Sequence, residues 1–259
     1  MPDTTPYRMV DKMRVYVHPD DGALGRAAAD AATGALRRAV AEQGVAHAMF
    51  ATGNSQLAFI DALVHDTPDV PWADVVVFHM DEYVGVGPDH PAGFQRWIRE
   101  RIVDRVRPRS AYYLDGLAEP RSECERYAGL LRSHPLDLCC LGIGENGHLA
   151  FNDPPVADFD DPLVVKPVEL EAACRRQQVN EGHFASLAEV PTEAVTVTIP
   201  ALLSATTVLA IVPEARKAEP VRLALDGPVS TSCPASVLRT QPHVALHLDA
   251  GSAGGLGWV

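Results

Sequence analysis

Three short segments of this 259-residue chain concentrate the side chains able to do chemistry. The densest is Leu141-Gly142-Ile143-Gly144-Glu145-Asn146-Gly147-His148-Leu149-Ala150-Phe151-Asn152-Asp153-Pro154. Its three glycines directly follow an apolar run and let the backbone turn sharply beside a ligand. His148 then stands five residues before a carboxylate. An imidazole in a glycine loop is suited to proton transfer near neutral pH. The second segment is Phe78-His79-Met80-Asp81-Glu82-Tyr83, where two adjacent carboxylates close an apolar run. Either one of them faces a site while the other turns away to pair with a cation, or both sit in a solvated turn. In the third, Ala51-Thr52-Gly53-Asn54-Ser55-Gln56, Gly53 permits close backbone approach and Ser55 offers a hydroxyl beside free N–H groups. That suits a phosphate; the alternative is that Asn54 or Ser55 simply caps a helix. Gly142, Gly144 and Gly147 also fit a bare dinucleotide pattern. No acidic residue ends a following strand about 20 residues on, so that pattern is set aside.

The elements that must position these loops alternate between short apolar strands and amphipathic helices. Strands are predicted at 13–17, 46–51, 75–80, 111–114, 136–141, 208–212 and 244–248. Helices are predicted at 20–43, 55–64, 91–106, 119–132, 214–225 and 234–240. Strands without strict polar alternation, separated by helices, imply a single α/β domain over 1–259 with a mostly parallel, Rossmann-like sheet covered on both faces. Residues 152–191 break the rhythm and read as a lid or an irregular insertion. The glycine-rich stretch 251–257 reads as a mobile tail. In such a sheet ligands sit beyond the carboxyl ends of the strands, which is where all three chemical segments fall.

Composition bounds the partners. The chain is 47% apolar and 22% charged, as expected of a folded globule. Its 22 basic and 34 acidic residues give a net charge of −12, which argues against nucleic acid and anionic membrane as partners. No apolar run approaches the ~20 residues of a membrane span, and residues 1–12 lack the plan of a signal peptide. Five cysteines without CxxC spacing disfavour a disulfide framework or a zinc site. Together these features place the protein in the cytoplasm. Only Lys12, Lys166 and Lys217 among the basic residues are lysines.

The segments 80–85 (MDEYVG) and 142–152 (GIGENGHLAFN), with the Thr52-Gly53 loop, resemble glucosamine-6-phosphate deaminase, whose fold is shared with 6-phosphogluconolactonase. The same order of elements runs over nearly the whole chain. Lactonases carry a GHTASLFP-like stretch after the glycine loop, whereas this chain has His148-Leu149-Ala150-Phe151, closer to the deaminases. The resemblance implies an isomerase–deaminase of hydrolase or isomerase type that turns glucosamine-6-phosphate into fructose-6-phosphate and ammonia by acid–base catalysis, with no cofactor and no metal. It implies Asp81 as the base that moves a proton from C-2 to C-1, and His148 as the group that opens the sugar ring. Asn146 stands where the deaminases typically have Asp, and Asp153 where they have Glu. Thr52, Gly53, Asn54, Ser55, Glu82, Gly147 and Lys217 are implied as substrate- and phosphate-binding positions. The family's phosphate arginine falls on Gly182, so its charge is supplied by His183, Arg175 or Arg176, or is missing. A phosphate bound by so acidic a chain implies a local field opposed to the global one, carried by Lys217, the Ser55 loop and helix N-termini. A homo-oligomer stays open, because the family includes both monomers and rings.

Three alternatives remain on the sequence. One is a sugar-phosphate isomerase or lactonase with another substrate. A second is a non-catalytic sugar-phosphate-binding domain; in transcription regulators such domains adjoin a helix-turn-helix, and about a dozen residues before the first strand are too few for one. The third is a metal site of His79, Asp81, His148 and Asp153, in which no two residues have helical ligand spacing.

Overall fold

Apolar strands alternating with helices build the scaffold of the protein, and a computed structural model describes residues 6–67 and 69–258. In chain order the elements are β1 (Arg8–Val10), β2 (Met13–His18), α1 (Asp21–Gln43), β3 (Ala46–Phe50), α2 (Leu57–His65), β4 (Val75–His79), β5 (Asp81–Tyr83), α3 (Phe94–Ile98), α4 (Asp104–Val106), β6 (Ser110–Tyr112), α5 (Pro120–Ser133), β7 (Leu138–Leu141), β8 (Val165–Glu169), α6 (Ala172–Asn180), β9 (Glu193–Val197), α7 (Ile199–Leu203), β10 (Thr207–Val212), α8 (Ala218–Asp226) and β11 (Val244–Asp249). A π-helical turn, Arg99–Val103, joins α3 to α4, and 3₁₀ turns at Asn54–Gln56 and Ala215–Lys217 lead into α2 and α8. The predicted 234–240 helix is a 3₁₀ helix, Pro234–Thr240.

Eight strands form the main sheet in the order β1-β2-β11-β10-β7-β3-β4-β6, parallel except for the β1–β2 pair. Its strands are buried on both faces, which removes the polar alternation of a half-exposed sheet. In β7, Cys139 and Leu141 enter one core, while Leu138 and Cys140 enter the core beneath α1 and α2. Asp20 caps α1 by accepting the N–H of Ala23 at 2.7 Å, and the alanines 28, 29, 32 and 35 give that helix a small buried face against the sheet. All five cysteines are free and buried. Among the described residues no helix is long and apolar enough to cross a membrane.

From β3 the chain steps outward to β4 and β6, then returns to β7 on the other side of β3. The strand order therefore reverses between β3 and β7, and such a switch point leaves a crevice at the carboxyl ends of the strands. The loops after β3, β4, β7 and β10 meet there.

Residues 152–191, read from sequence as a lid or an irregular insertion, are in part regular. They contribute β8 and α6, and β8 joins a three-stranded antiparallel sheet of order β5-β9-β8. This sheet takes in the start of the acidic segment, since Asp81 pairs with Thr196 and Tyr83 with Ala194. Behind it Tyr83, Phe94, Phe151 and Phe184 form a separate aromatic core. Pro167 sits in β8, an edge strand, where a missing N–H is tolerated. The stretch 251–257 is likewise not a loose tail. Ser252, Ala253 and Leu256 are buried, and the Ser252 and Ala253 N–H groups donate to Asp249.

Candidate active site

Asp81 begins β5 one residue after β4 ends, so its backbone is held by the small sheet while its carboxylate enters the crevice. It is buried, and burial together with the neighbouring Glu82 charge pushes its carboxyl well above the ordinary carboxylate range. Glu82 faces the other way. Its carboxylate accepts the N–H groups of Tyr83 (3.0 Å), Phe94 (3.2 Å) and Gln95 (2.7 Å). The expected cation is replaced by N–H donors, two of them at the start of α3, because a helix start leaves its first N–H groups without intrahelical partners. Burial pushes Glu82 up to about 7 against the pull of these donors. Glu82 positions the loop and does not line the cleft.

His148 faces Asp81's side of the cleft, and its Nδ1 stands 2.9 Å from Asp153 Oδ1. The contact is close in distance but poorly aligned in angle, as is common for catalytic pairs without substrate. Two glycines make this loop possible. A side chain on Gly144 would overlap the His148 ring, and Gly147 has φ +84 with Cys233 Sγ only 2.8 Å from where its Cβ would lie. Gly147 thus shapes the turn from outside the cleft. Ala150, which does line the cleft, adopts the left-handed region at φ 51 without glycine's freedom.

Behind the imidazole lies a fixed carboxylate. Asn146 Nδ2 donates to Asp153 Oδ1 (2.9 Å) and to Glu171 Oε2 (2.7 Å), and Asn146 Oδ1 accepts the His148 N–H (3.2 Å). Asn146 therefore orients Asp153 and the loop rather than the ring itself. Burial pushes the Asp153 carboxyl up, yet His148, Asn146 and the Glu171 N–H together hold it below the usual range, so Asp153 is ionised at neutral pH. One ligand atom each from His148, Asp153 and Cys174 lie within 4.8 Å of one another, close enough for a single soft ion. The set imagined from sequence does not assemble: His79 is buried, burial lowers it to about 3, and its Nε2 accepts the Leu114 N–H at 2.9 Å.

At the other end of the cleft, Thr52, Gly53 and Ser55 follow β3 and Lys217 follows β10. Gln56 donates from Nε2 to Ser55 Oγ (3.2 Å) and to the Ile211 carbonyl (3.1 Å). This occupies a lone pair of the Ser55 hydroxyl and leaves its proton for a ligand. Asn54 is exposed and outside the lining; its Nδ2 donates to the Glu181 carbonyl at 3.3 Å. Lys217 is buried, and burial, with Arg216 beside it, lowers its pKa. Gly182 is exposed. None of the proposed substitutes for its missing arginine reaches the cleft: Arg175 donates to the Leu187 and Val190 carbonyls, His183 pairs with Glu181 at 3.3 Å, and Arg176 is exposed.

Sequence reasoning missed the wall formed by α6. Gln177, Gln178 and Glu181 line the cleft beside Lys217. Burial pushes Glu181 up, but His183, Arg216 and Gln177 outweigh it and hold its carboxyl down to about 2. Lys217 is thus the one Lys or Arg lining the cleft among the described residues, facing the carboxylates of Asp81 and Glu181. The signal that could have found this wall is the spacing of Cys174, Gln178 and Glu181 at i, i+4 and i+7, which puts all three on one helix face.

Fold and cleft together are those of an α/β enzyme. A profile of the glucosamine-6-phosphate isomerases/6-phosphogluconolactonase family matches residues 19–246. The chain is 36% identical over 204 residues to a glucosamine-6-phosphate deaminase of Exiguobacterium sibiricum, covering 78% of each. It is 35% identical over 200 residues to one of Bacillus cereus, covering 77% of this chain and 74% of the relative. Among solved structures, a monomeric glucosamine-6-phosphate deaminase aligns with TM-score 0.85 and 27% identity over 94% of this chain and all (100%) of that one. A 6-phosphogluconolactonase of Shewanella baltica aligns with TM-score 0.77 over 93% of this chain and 99% of its own, at 18% identity, which speaks to fold alone. The chain belongs to the glucosamine-6-phosphate isomerase/6-phosphogluconolactonase family.

Proposed function

We propose that the protein converts glucosamine-6-phosphate and water to fructose-6-phosphate and ammonia. The observation that carries this reading is the pairing, in one cleft, of a buried carboxylate (Asp81) with an imidazole backed by a second carboxylate (His148 and Asp153), with Lys217 and the Ser55 hydroxyl at the far end. His148, its Nδ1 side held by Asp153, offers Nε2 to the sugar and carries a proton between the C-1 hydroxyl and the ring oxygen, opening the ring. Asp81 removes the C-2 proton, acidified by the C-1 carbonyl, and returns it to C-1. The C-2–H electron pair forms the C-1=C-2 bond of an enolamine as the C-1 oxygen takes a proton; that pair then takes the proton from Asp81 at C-1, and the nitrogen lone pair closes the C-2 imine as the nitrogen gives up a proton, leaving C-1 an alcohol. Water adds to the imine and ammonia leaves, which balances the reaction. A carboxylate raised above its ordinary range by burial is a stronger base for this task.

Lys217 and Ser55 hold the 6-phosphate, the first as a point charge and the second as a hydroxyl donor. Such a substrate is held inside cells, and five unpaired buried thiols suit the reducing cytoplasm. The test is stoichiometric release of ammonia and fructose-6-phosphate from glucosamine-6-phosphate by the purified protein. Glucosamine-6-phosphate left intact, with turnover of 6-phosphogluconolactone instead, would refute the reading.

A further inference from the structure

The two glutamines that face the cleft from α6 are used differently. Gln177 is committed to the scaffold at both ends: its Oε1 accepts the Glu145 N–H at 3.2 Å and its Nε2 donates to Glu181 at 2.8 Å. Gln178 is only 7% exposed, lines the cleft, and its Oε1 has no hydrogen-bond partner among the described residues. Leaving a buried polar atom unpaired costs free energy that folding does not return, so such a group calls for another partner.

Its place along the helix suggests which partner. One turn before it, on the same face, the Cys174 Sγ lies within 4.8 Å of a carboxylate oxygen of Asp153, the carboxylate behind His148. One turn after it, Glu181 meets the phosphate-end loops, taking Asn54 Nδ2 on its carbonyl (3.3 Å) and Arg216 Nη1 on its carboxylate (2.6 Å). Gln178 therefore stands between the end where C-1 and C-2 must react and the end where the 6-phosphate must sit. The part of an aminohexose phosphate that faces this position is its middle, C-3 and C-4, whose substituents are hydroxyls.

We propose that Gln178 is a specificity-determining residue whose carboxamide hydrogen-bonds a hydroxyl on C-3 or C-4 of the substrate. The proposal rests on the aminohexose-phosphate reading given above. A site built to pair a substrate hydroxyl disfavours an isomer that misplaces it, because the protein's own polar group is then left unpaired.

The test compares wild type with Gln178→Met, which keeps the length and loses the amide, on glucosamine-6-phosphate and on its C-4 and C-3 epimers, galactosamine-6-phosphate and allosamine-6-phosphate. Loss of one buried hydrogen bond is expected to raise KM for glucosamine-6-phosphate about ten-fold while kcat stays within about three-fold. The preference for glucosamine-6-phosphate over at least one epimer, read as the ratio of kcat/KM, should fall about five-fold or more. Should the Met variant lose its fold, Gln178→Asn, which withdraws the amide by one methylene, is expected to show the same KM rise and loss of preference. Variants with unchanged KM and unchanged epimer ratios, in a wild type that releases ammonia, overturn this inference alone. A wild type that releases ammonia from none of the three phosphates overturns the functional reading and this inference with it.

Discussion

At one end of the cleft, Asp81, His148 and Asp153 are each tied to buried scaffold: Asp81 through β5 and the small sheet, and His148 through Asp153, which Asn146 and the Glu171 N–H hold in turn. At the other end Lys217 is the one Lys or Arg lining the cleft among the described residues, its pKa lowered by burial, with an ionised Glu181 in the same wall. Near it Arg216 carries a second positive charge, but Glu145, Glu181 and Glu214 all claim it. On the proposed function, protons are handled at the end with redundant support, and anion recognition rests on few groups. A reaction tolerates a weakened hold on a remote phosphate as a loss of binding, whereas a misplaced base costs the chemical step itself.

The largest expected effect breaks the well-supported end. Asp81→Asn should lower kcat about 10³-fold, the scale of a lost general base, measured as ammonia release at saturating substrate. The same change should raise thermal stability. Asp81's folded pKa lies above its unfolded one, so the ionised form opposes folding; that penalty is absent below about pH 4, the unfolded pKa, and complete above the raised value. The gain in Tm on Asp81→Asn should therefore grow with pH. By the same reasoning the acidic limb of kcat/KM should lie above the ordinary carboxylate range. Next in size is Asp153→Asn, expected to cost about 10²-fold in kcat because His148 loses the carboxylate that orients it and stabilises its charged form.

Effects at the phosphate end should appear in KM. Lys217→Met is expected to raise KM for glucosamine-6-phosphate about 30-fold, the worth of one charge-assisted contact, with a much smaller change in kcat. The smallest effect is also the most discriminating. Glu181→Gln can keep the carbonyl acceptor that faces Arg216 but replaces the other oxygen, beside His183, with an amide N–H, and removes a negative charge beside Lys217; it should lower KM about three-fold. That variant should also be less stable at neutral pH than wild type. Glu181's folded pKa is depressed to about 2, so its contribution is present above the unfolded value near 4.5 and is lost as pH falls through about 2. The stability difference should close over that window.

The parallel scaffold and the three chemical loops were legible because the sequence states them locally. Buried parallel strands are continuous apolar runs, and Asp81, His148 and Lys217 each sit just beyond one, where charge or imidazole has no packing explanation. The small sheet was not legible. Strand β5 is three residues long, and its partner lies more than 100 positions away, as in the pairing of Asp81 with Thr196. Glu82 illustrates the same limit, since its partners include N–H groups of α3 that local spacing does not bring near. Gln178 and Glu181 escaped notice because their segment reads as irregular; only when α6 forms does the spacing from Cys174 become one face turned to the cleft.

In the proposed reaction Asp81 carries the C-2 proton of an aminohexose phosphate to C-1 beside His148. Glucosamine-6-phosphate deuterated at C-2 tests it most directly, with the rate and the label in the product both measured. The reaction should run slower than with the protium substrate, deuterium should appear in part at C-1 of fructose-6-phosphate, and Asp81→Asn should lose both turnover and label transfer. Undiminished turnover and label transfer in that variant would contradict it.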